Sequence, residues 1–333
     1  MEAARGLTIF LILALGACSS APKVPVSDAG AAGPLPEMAQ QDAKPPEPMG
    51  PPEPFGPPIP ERQPEFGPDP VKTKAIVLVL GPGFARAFAH AGVLKAFDDA
   101  KIPVSAIYAS ETAALVAAMY GLSETVNAFE WRMMKIKDNA LVPKKSLVGK
   151  IFHRKRNKKW LDGALEEAIG EGEFKDSRTR LRIGAKVAGT GESGIFSDGS
   201  IFDAVRAAMA VPGYAEPAPV NGREMLSSGD IRPLMVPEAK REGDVVVAVD
   251  VLGPAPLATR EPPEFQTYLK SAQAASEEAG QADVVIRPEL GAMGIFDFSK
   301  RSEAEFKGRR AAAAVLDDVR KLVGFPAGGE AAR

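Results

Sequence analysis

Five apolar runs rich in β-branched residues recur through residues 71–333, and helical patterns fill the intervals between them. The runs are AIVLVL (75–80), VSAIYA (104–109), LRIGAKVAG (181–189), DVVVAVDVL (244–252) and ADVVIRP (282–288). Between and after them lie HAGVLKAFDDA, TAALVAAMYGL, KWLDGALEEAIG, IFDAVRAAMA, FQTYLKSAQAASEEAG and AEFKGRRAAAAVLDDVRKLV. Apolar strands alternating with helices predict an α/β domain built on a mostly parallel central sheet, covered by helices on both faces. A segment of roughly 260 residues is long enough for one such domain. The net charge of −2, with both signs interspersed, gives no basis for nucleic-acid binding.

The chain ahead of this domain has a different character. An apolar run, LTIFLILAL, covers residues 7–15 and follows Arg5. It is too short for a lasting membrane span and has the length of a signal-peptide core. Leu15-Gly16-Ala17-Cys18 comes next and resembles a bacterial lipobox, in which the cysteine is acylated and becomes the mature N-terminus. Cys18 is the only cysteine among 333 residues, so the folded part is expected to stand without disulfides. The expectation is a signal peptide with lipobox over 1–18 and a lipid-anchored protein of the bacterial cell envelope. Ser19 after the cysteine is compatible with the outer membrane, facing the periplasm.

Residues 19–70 include 16 prolines. Proline fixes φ and removes a backbone donor, so this segment reads as an extended tether and not as a folded unit. Its upper reach is roughly 160 Å. A proline-motif ligand for a partner protein is the other reading, and the sequence names no such partner.

The first strand enters a glycine loop and then a helix: AIVLVL-GPGFARAFAHAGVLKAF. A dinucleotide site would need G-x-G-x-x-G, but Gly81 and Gly83 are followed by Arg86, and the next glycine is Gly92. The order of landmarks resembles the patatin-like phospholipases over nearly all of residues 74–325. Gly81-Pro82-Gly83-Phe84-Ala85-Arg86 takes the place of the family's oxyanion loop, and AHAGVLKAF (89–97) matches the helix after it. IFDAVRAAMAVPGYAEPAPVNGR (201–223) resembles the segment leading to the second catalytic residue. The resemblance implies a patatin-like three-layer fold, a membrane lipid or acyl ester as ligand, and no cofactor or metal.

It also implies a Ser–Asp dyad, and here the sequence departs from the family. Ser110, in Tyr-x-Ser-x-Thr between strand and helix, stands at the nucleophile's place, with Tyr108 and Thr112 expected to crowd the turn. Ser227, in SSGDIRP, stands where the family has aspartate, and Asp230 follows as a displaced candidate base. Asp198 precedes the helix at 201 and reads as its cap. Pro82 lacks the N–H that an oxyanion loop supplies, and Phe84 replaces a glycine. His90 reads as structural, and His153 has no catalytic surroundings. The expectation is a lipid-binding or scaffolding protein with hydrolysis reduced or lost. The alternative is an active serine lipid acyl hydrolase using Ser110 and a rearranged acidic partner.

Lys144–Lys159 (KKSLVGKIFHRKRNKK) carries eight Lys/Arg and no acid, and precedes Trp160. Lys155, Arg156, Lys158 and Lys159 are expected to contact an anionic membrane surface, where each basic residue contributes about 1 kcal/mol. A solvated helix face is the competing reading.

Overall fold

The computed structural model describes residues 73–137, 139–142, 160–253 and 263–324, without the side chains of 263–268. Cys18, the 19–70 tether and the basic run with Lys155, Arg156, Lys158 and Lys159 lie outside the described residues, as does His153.

The sheet is built around β1 (Ile76–Leu80), every residue of which is buried. Its neighbours are β2 (Val104–Ala109) and β7 (Val245–Val249), both parallel to it. Beyond them lie β3 (Arg180–Val187) and β8 (Val284–Ile286), also parallel. Strands buried on both faces need no polar alternation, which is why these runs stand out in the sequence. The pattern misses β4 (Ser193–Phe196), β5 (Ala218–Val220) and β6 (Arg223–Ser227), the antiparallel part of the sheet. Those strands are short and partly exposed, and Pro219 sits within β5.

Pairing around β3 positions the candidate site. Ile183 pairs with Ala109 on one edge and Phe196 on the other. Lys186 pairs with Ser193 of β4 and Leu226 of β6. β6 therefore takes over the edge that β2 leaves at Ala109, and the chain just after each strand is brought to one place. Ser110 and Ser227 stand there.

Helices cover both faces, in three layers. On one face, Tyr108 and Arg182 are paired across β2 and β3. Both hydrogen-bond Glu242 of the short helix Val236–Glu242. On the other, Ala185 clusters with Ala207 of the helix Ile201–Ala208. We number the helices α1 (Ala89–Asp99), α2 (Thr112–Gly121), α3 (Val126–Lys135), α4 (Trp160–Ile169), α5 (Ile201–Ala208), α6 (Val236–Glu242), α7 (Pro263–Ala279), α8 (Arg301–Ala313) and α9 (Leu316–Val323). The pattern misses α3 and α6 and joins α8 to α9. All ten residues of α2 are buried, which explains why it carries no polar face. The cap of α5 is Ser200, whose Oγ accepts the Asp203 N–H at 3.1 Å. That corrects the expectation for Asp198, which lies two residues too early to reach the first turn. No described helix is long and apolar enough to cross a membrane.

Candidate active site

The strand-to-helix turn after β2 is strained at one residue, and that residue is Glu111. Its φ is 53° and its ψ −135°, immediately before α2 begins at Thr112. A side chain rarely adopts this backbone without an over-determining environment, and such turns cluster at functional sites. A nucleophile elbow places its reactive side chain on a sharp, strained turn of this kind. Two residues before Glu111 is Ala109, and two after is Ala113, so the small flanking residues that an elbow needs are present. The sequence reading centres the elbow on Ser110; the backbone centres it one residue later. The crowding expected from Tyr108 and Thr112 is accordingly absent. Tyr108 sends its hydroxyl to Glu242 Oε2 at 2.7 Å, and Thr112 Oγ1 donates to Glu111 Oε1 at 3.3 Å.

Ser110 is fully buried, and its hydroxyl donates to the carbonyl of Pro233 at 2.8 Å. Ser227 accepts the Gly229 N–H at 3.2 Å. Asp230 is held by Lys186, whose Nζ lies 2.5 and 2.7 Å from its two oxygens. Its carboxylate is thus committed to a lysine of β3, and no hydrogen bond joins it to Ser110 among the described residues.

The oxyanion-type loop meets Glu111 directly. The Phe84 N–H donates to Glu111 Oε1 at 2.7 Å, and the amides of Gly83 and Thr112 also face this carboxyl. Pro82 contributes no donor, yet the loop offers amides from the two residues after it. Phe84 adopts φ 47°, a costly conformation for a residue with a Cβ. A Cβ on Gly83 would sit 2.6 Å from the Val251 side chain, so glycine lets the loop close on the segment just after β7. Gly81 anchors the start of the loop through its N–H to Val249 O at 3.1 Å. Arg86 fastens the far end: Nε donates to Val251 O at 2.8 Å and Nη1 to Met293 O at 2.9 Å. Its role is to tie the loop to the segments after β7 and β8.

Burial decides the electrostatics. Glu111 is 4 % exposed, and desolvation pushes its carboxyl up to about 7 against the opposing pull of the surrounding amides. His90 is fully buried with Nε2 against Gly81 O at 2.8 Å, and desolvation lowers it to about 4. It sits under the loop as the structural residue the sequence suggests. Above the turn, Phe84 packs on Tyr214 and Phe296 with centroids 5.0 and 5.2 Å apart, and Trp160 packs on Tyr214 at 5.5 Å. Phe84, whose amide holds Glu111, thus belongs to an aromatic cluster with Tyr214, Phe296 and Trp160. No group of acidic, histidine or cysteine side chains among the described residues is arranged to hold a metal ion.

Sequence reasoning missed Glu111, though a signal was present. Reading the motif as small-x-X-x-small, and not for its serine, would have found Ala109-Ser110-Glu111-Thr112-Ala113.

Residues 78–235 match the family model of the patatin-like phospholipases. The chain is 29 % identical to lysophospholipase nte1 of Emericella nidulans over 190 residues, which are 54 % of this chain and 12 % of that protein. It is 28 % identical to an uncharacterized NTE family protein of Mycobacterium bovis, covering 54 % of this chain and 49 % of the relative. Patatin-like phospholipase domain-containing protein 6 of Mus musculus is 28 % identical over 53 % of this chain and 13 % of its own length. The chain therefore spans less than half of each of these relatives. Among solved structures, VipD of Legionella pneumophila superposes with a TM-score of 0.44 at 12 % identity, covering 74 % of this chain and 67 % of that one. The family match, the mixed sheet with its covering helices, and the elbow and amide loop in their expected order agree that this chain carries a patatin-like phospholipase domain.

Proposed function

We propose that this chain is a lipid-binding or scaffolding protein of the bacterial envelope, built on a patatin-like phospholipase domain that has lost ester hydrolysis. The observation that carries the proposal is the Glu111 carboxyl lying against the Gly83 and Phe84 amides. Acyl transfer needs a hydroxyl at the elbow and free amides aimed at the oxyanion, acting as one unit. Here the elbow side chain is an acid, and it takes the amides for itself. Ser227 at the dyad's second position brings no carboxylate to act as base.

Losing one oxyanion donor costs about 10²–10³ in rate, and losing the nucleophile of such a unit costs about 10⁶. The full chain assayed on short acyl esters and phospholipids should show no turnover that depends on Ser110. Ser110→Ala and Glu111→Gln should leave the background unchanged, and Glu111→Ser alone should restore nothing without Ser227→Asp beside it. Phospholipid turnover that disappears in Ser110→Ala would instead establish the active-hydrolase alternative.

Attachment to a membrane belongs to the same proposal and rests on the LGAC sequence and the basic run. Cys18→Ala should accumulate as an unprocessed precursor and leave the detergent phase. Glutamine at Lys155, Arg156, Lys158 and Lys159 should weaken salt-sensitive binding to anionic vesicles, since such attraction is screened over about 10 Å at 0.1 M salt. Normal processing of the first variant, or equal binding of the second to anionic and neutral vesicles before and after substitution, counts against the attachment.

A further inference from the structure

We propose that the outer faces of α3 and α8 form one contact surface for an anionic lipid bilayer, with Trp131, Met134 and Phe306 seated among its head groups. The inference rests on the proposed lipid-binding function and names the part of the chain that meets the lipid. Trp131, Met134 and Phe306 are 66, 67 and 65 % exposed, more than any other large hydrophobic side chain among the described residues. Single exposed apolar residues are ordinary, whereas a group of them marks a contact surface.

Side-chain contacts place these three on one surface. Lys95 of α1 pairs with Glu130 of α3 and with Glu305 of α8, the second at 2.7 Å. Those two carboxylates belong to the residues just before Trp131 and Phe306. The C-terminal end of α3 also meets the start of α8, where Arg301 Nη1 donates to Ile136 O. On α3, Trp131, Met134 and Lys135 stand at i, i+3 and i+4, on the side opposite the buried Phe129 and Met133.

Charge selects the occupant. The acids near these side chains are answered: Glu130 and Glu305 share Lys95, and Glu303 pairs with Lys307 at 2.6 Å. Lys135 and Lys137 are exposed and pair with no described carboxylate. Glu124 lies ahead of the opposite end of α3. The uncompensated charge beside Trp131 is therefore positive, and the sequence runs on from it to the eight Lys/Arg of residues 144–159. Basic residues are drawn to anionic head groups, and tryptophan, apolar with one polar N–H, suits the boundary between head groups and acyl chains. A second copy of this chain docked face to face would bring these lysines toward their own kind, so a bilayer is the better fit.

The chain has two tryptophans, so Trp160→Phe leaves Trp131 as its only one. The full chain with that change, reconstituted with vesicles of phosphatidylcholine and phosphatidylglycerol, should show blue-shifted Trp131 emission that acyl-brominated lipid quenches. Vesicles of phosphatidylcholine alone should leave the emission unshifted. Trp131→Phe reports instead from Trp160, packed on Tyr214, and should show neither change. Aspartate at Met134 and Phe306 together should abolish the shift and leave the melting temperature unaltered, since both side chains are exposed. Glutamine at Lys135 and Lys137 should weaken vesicle affinity about tenfold at low salt, a loss of 1.4 kcal/mol. Trp131 emission that vesicles leave unchanged while the protein stays bound to them overturns this surface and leaves the lipid-binding function standing. Quenching that survives the aspartates does the same. Failure to associate with anionic vesicles at all overturns both. A dimer in lipid-free solution that the aspartates dissociate gives the face to a second copy and overturns the bilayer assignment.

Discussion

Replacing Glu111 by glutamine should make the folded domain acid-sensitive, and replacing His90 by glutamine should make it acid-stabilised. The two residues contact the oxyanion-type loop at Phe84 and Gly81 and have opposite shifts. Glu111 is raised from 4.5 to about 7 by burial, so the folded state holds a proton that the unfolded chain releases in between. Its contribution therefore favours folding below pH 4.5 and is lost as pH rises toward 7. His90 is lowered from 6.5 to about 4, again by burial, so the folded state binds fewer protons there. Its contribution is intact above pH 6.5 and is lost as pH falls toward 4. Each slope approaches 1.4 kcal/mol per pH unit, and between about pH 4.5 and 6.5 they oppose one another. Urea melts of the wild type across that window should be nearly flat in the part owed to these two groups. Glu111→Gln should lose about 2–3 kcal/mol on going from pH 6.5 to 4.5, and His90→Gln should gain a similar amount. Glu278, also raised by burial, adds a smaller slope of the Glu111 sign to all three proteins. Identical pH slopes in wild type and both variants would show that neither group is buried as described.

Alanine at Gly92 or Gly308 should destabilise the domain by about 3 kcal/mol or more, because it overpacks a contact that cannot yield. These glycines lie on α1 and α8, where the two helices cross in direct backbone contact. A Cβ on Gly92 would lie 1.9 Å from Glu305 O, and one on Gly308 would lie 1.9 Å from Ala89 O. Both obstructing atoms are backbone carbonyls, so relief requires the helices to move apart. Helix propensity argues the other way, since alanine is better than glycine in a helix by about 1 kcal/mol. Gly163→Ala isolates that term: Gly163 is on α4, and a Cβ there would meet nothing within 4 Å. It should stabilise by about 0.5–1 kcal/mol, so three glycine-to-alanine changes within helices should split by sign. Denaturation midpoints measured on all three decide it. If Gly92→Ala and Gly308→Ala match Gly163→Ala, the helices are not in contact.

The five parallel strands and six helical patterns were legible in the residues because central strands are apolar on both faces and long helices repeat their apolar side. The glycine loop and the helix after it were legible too. β4, β5 and β6 were not, since partly exposed strands at the sheet's antiparallel edge carry little periodic signal. α6 is short and has two buried residues, Val236 and Ala239, too few to reveal a face. The site's identity turned on one residue of register. A run such as Ala109-Ser110-Glu111-Thr112-Ala113 allows the strand to end one residue earlier or later, and local preference alone favours a serine in such a place. Only the folded chain settles the turn. α2 must pack along its whole length, β2 must stay in register with β1 and β3, and the one strained residue left between them is Glu111. The same packing brings the Phe84 amide to its carboxyl from 27 positions away, a meeting that no spacing in the sequence encodes.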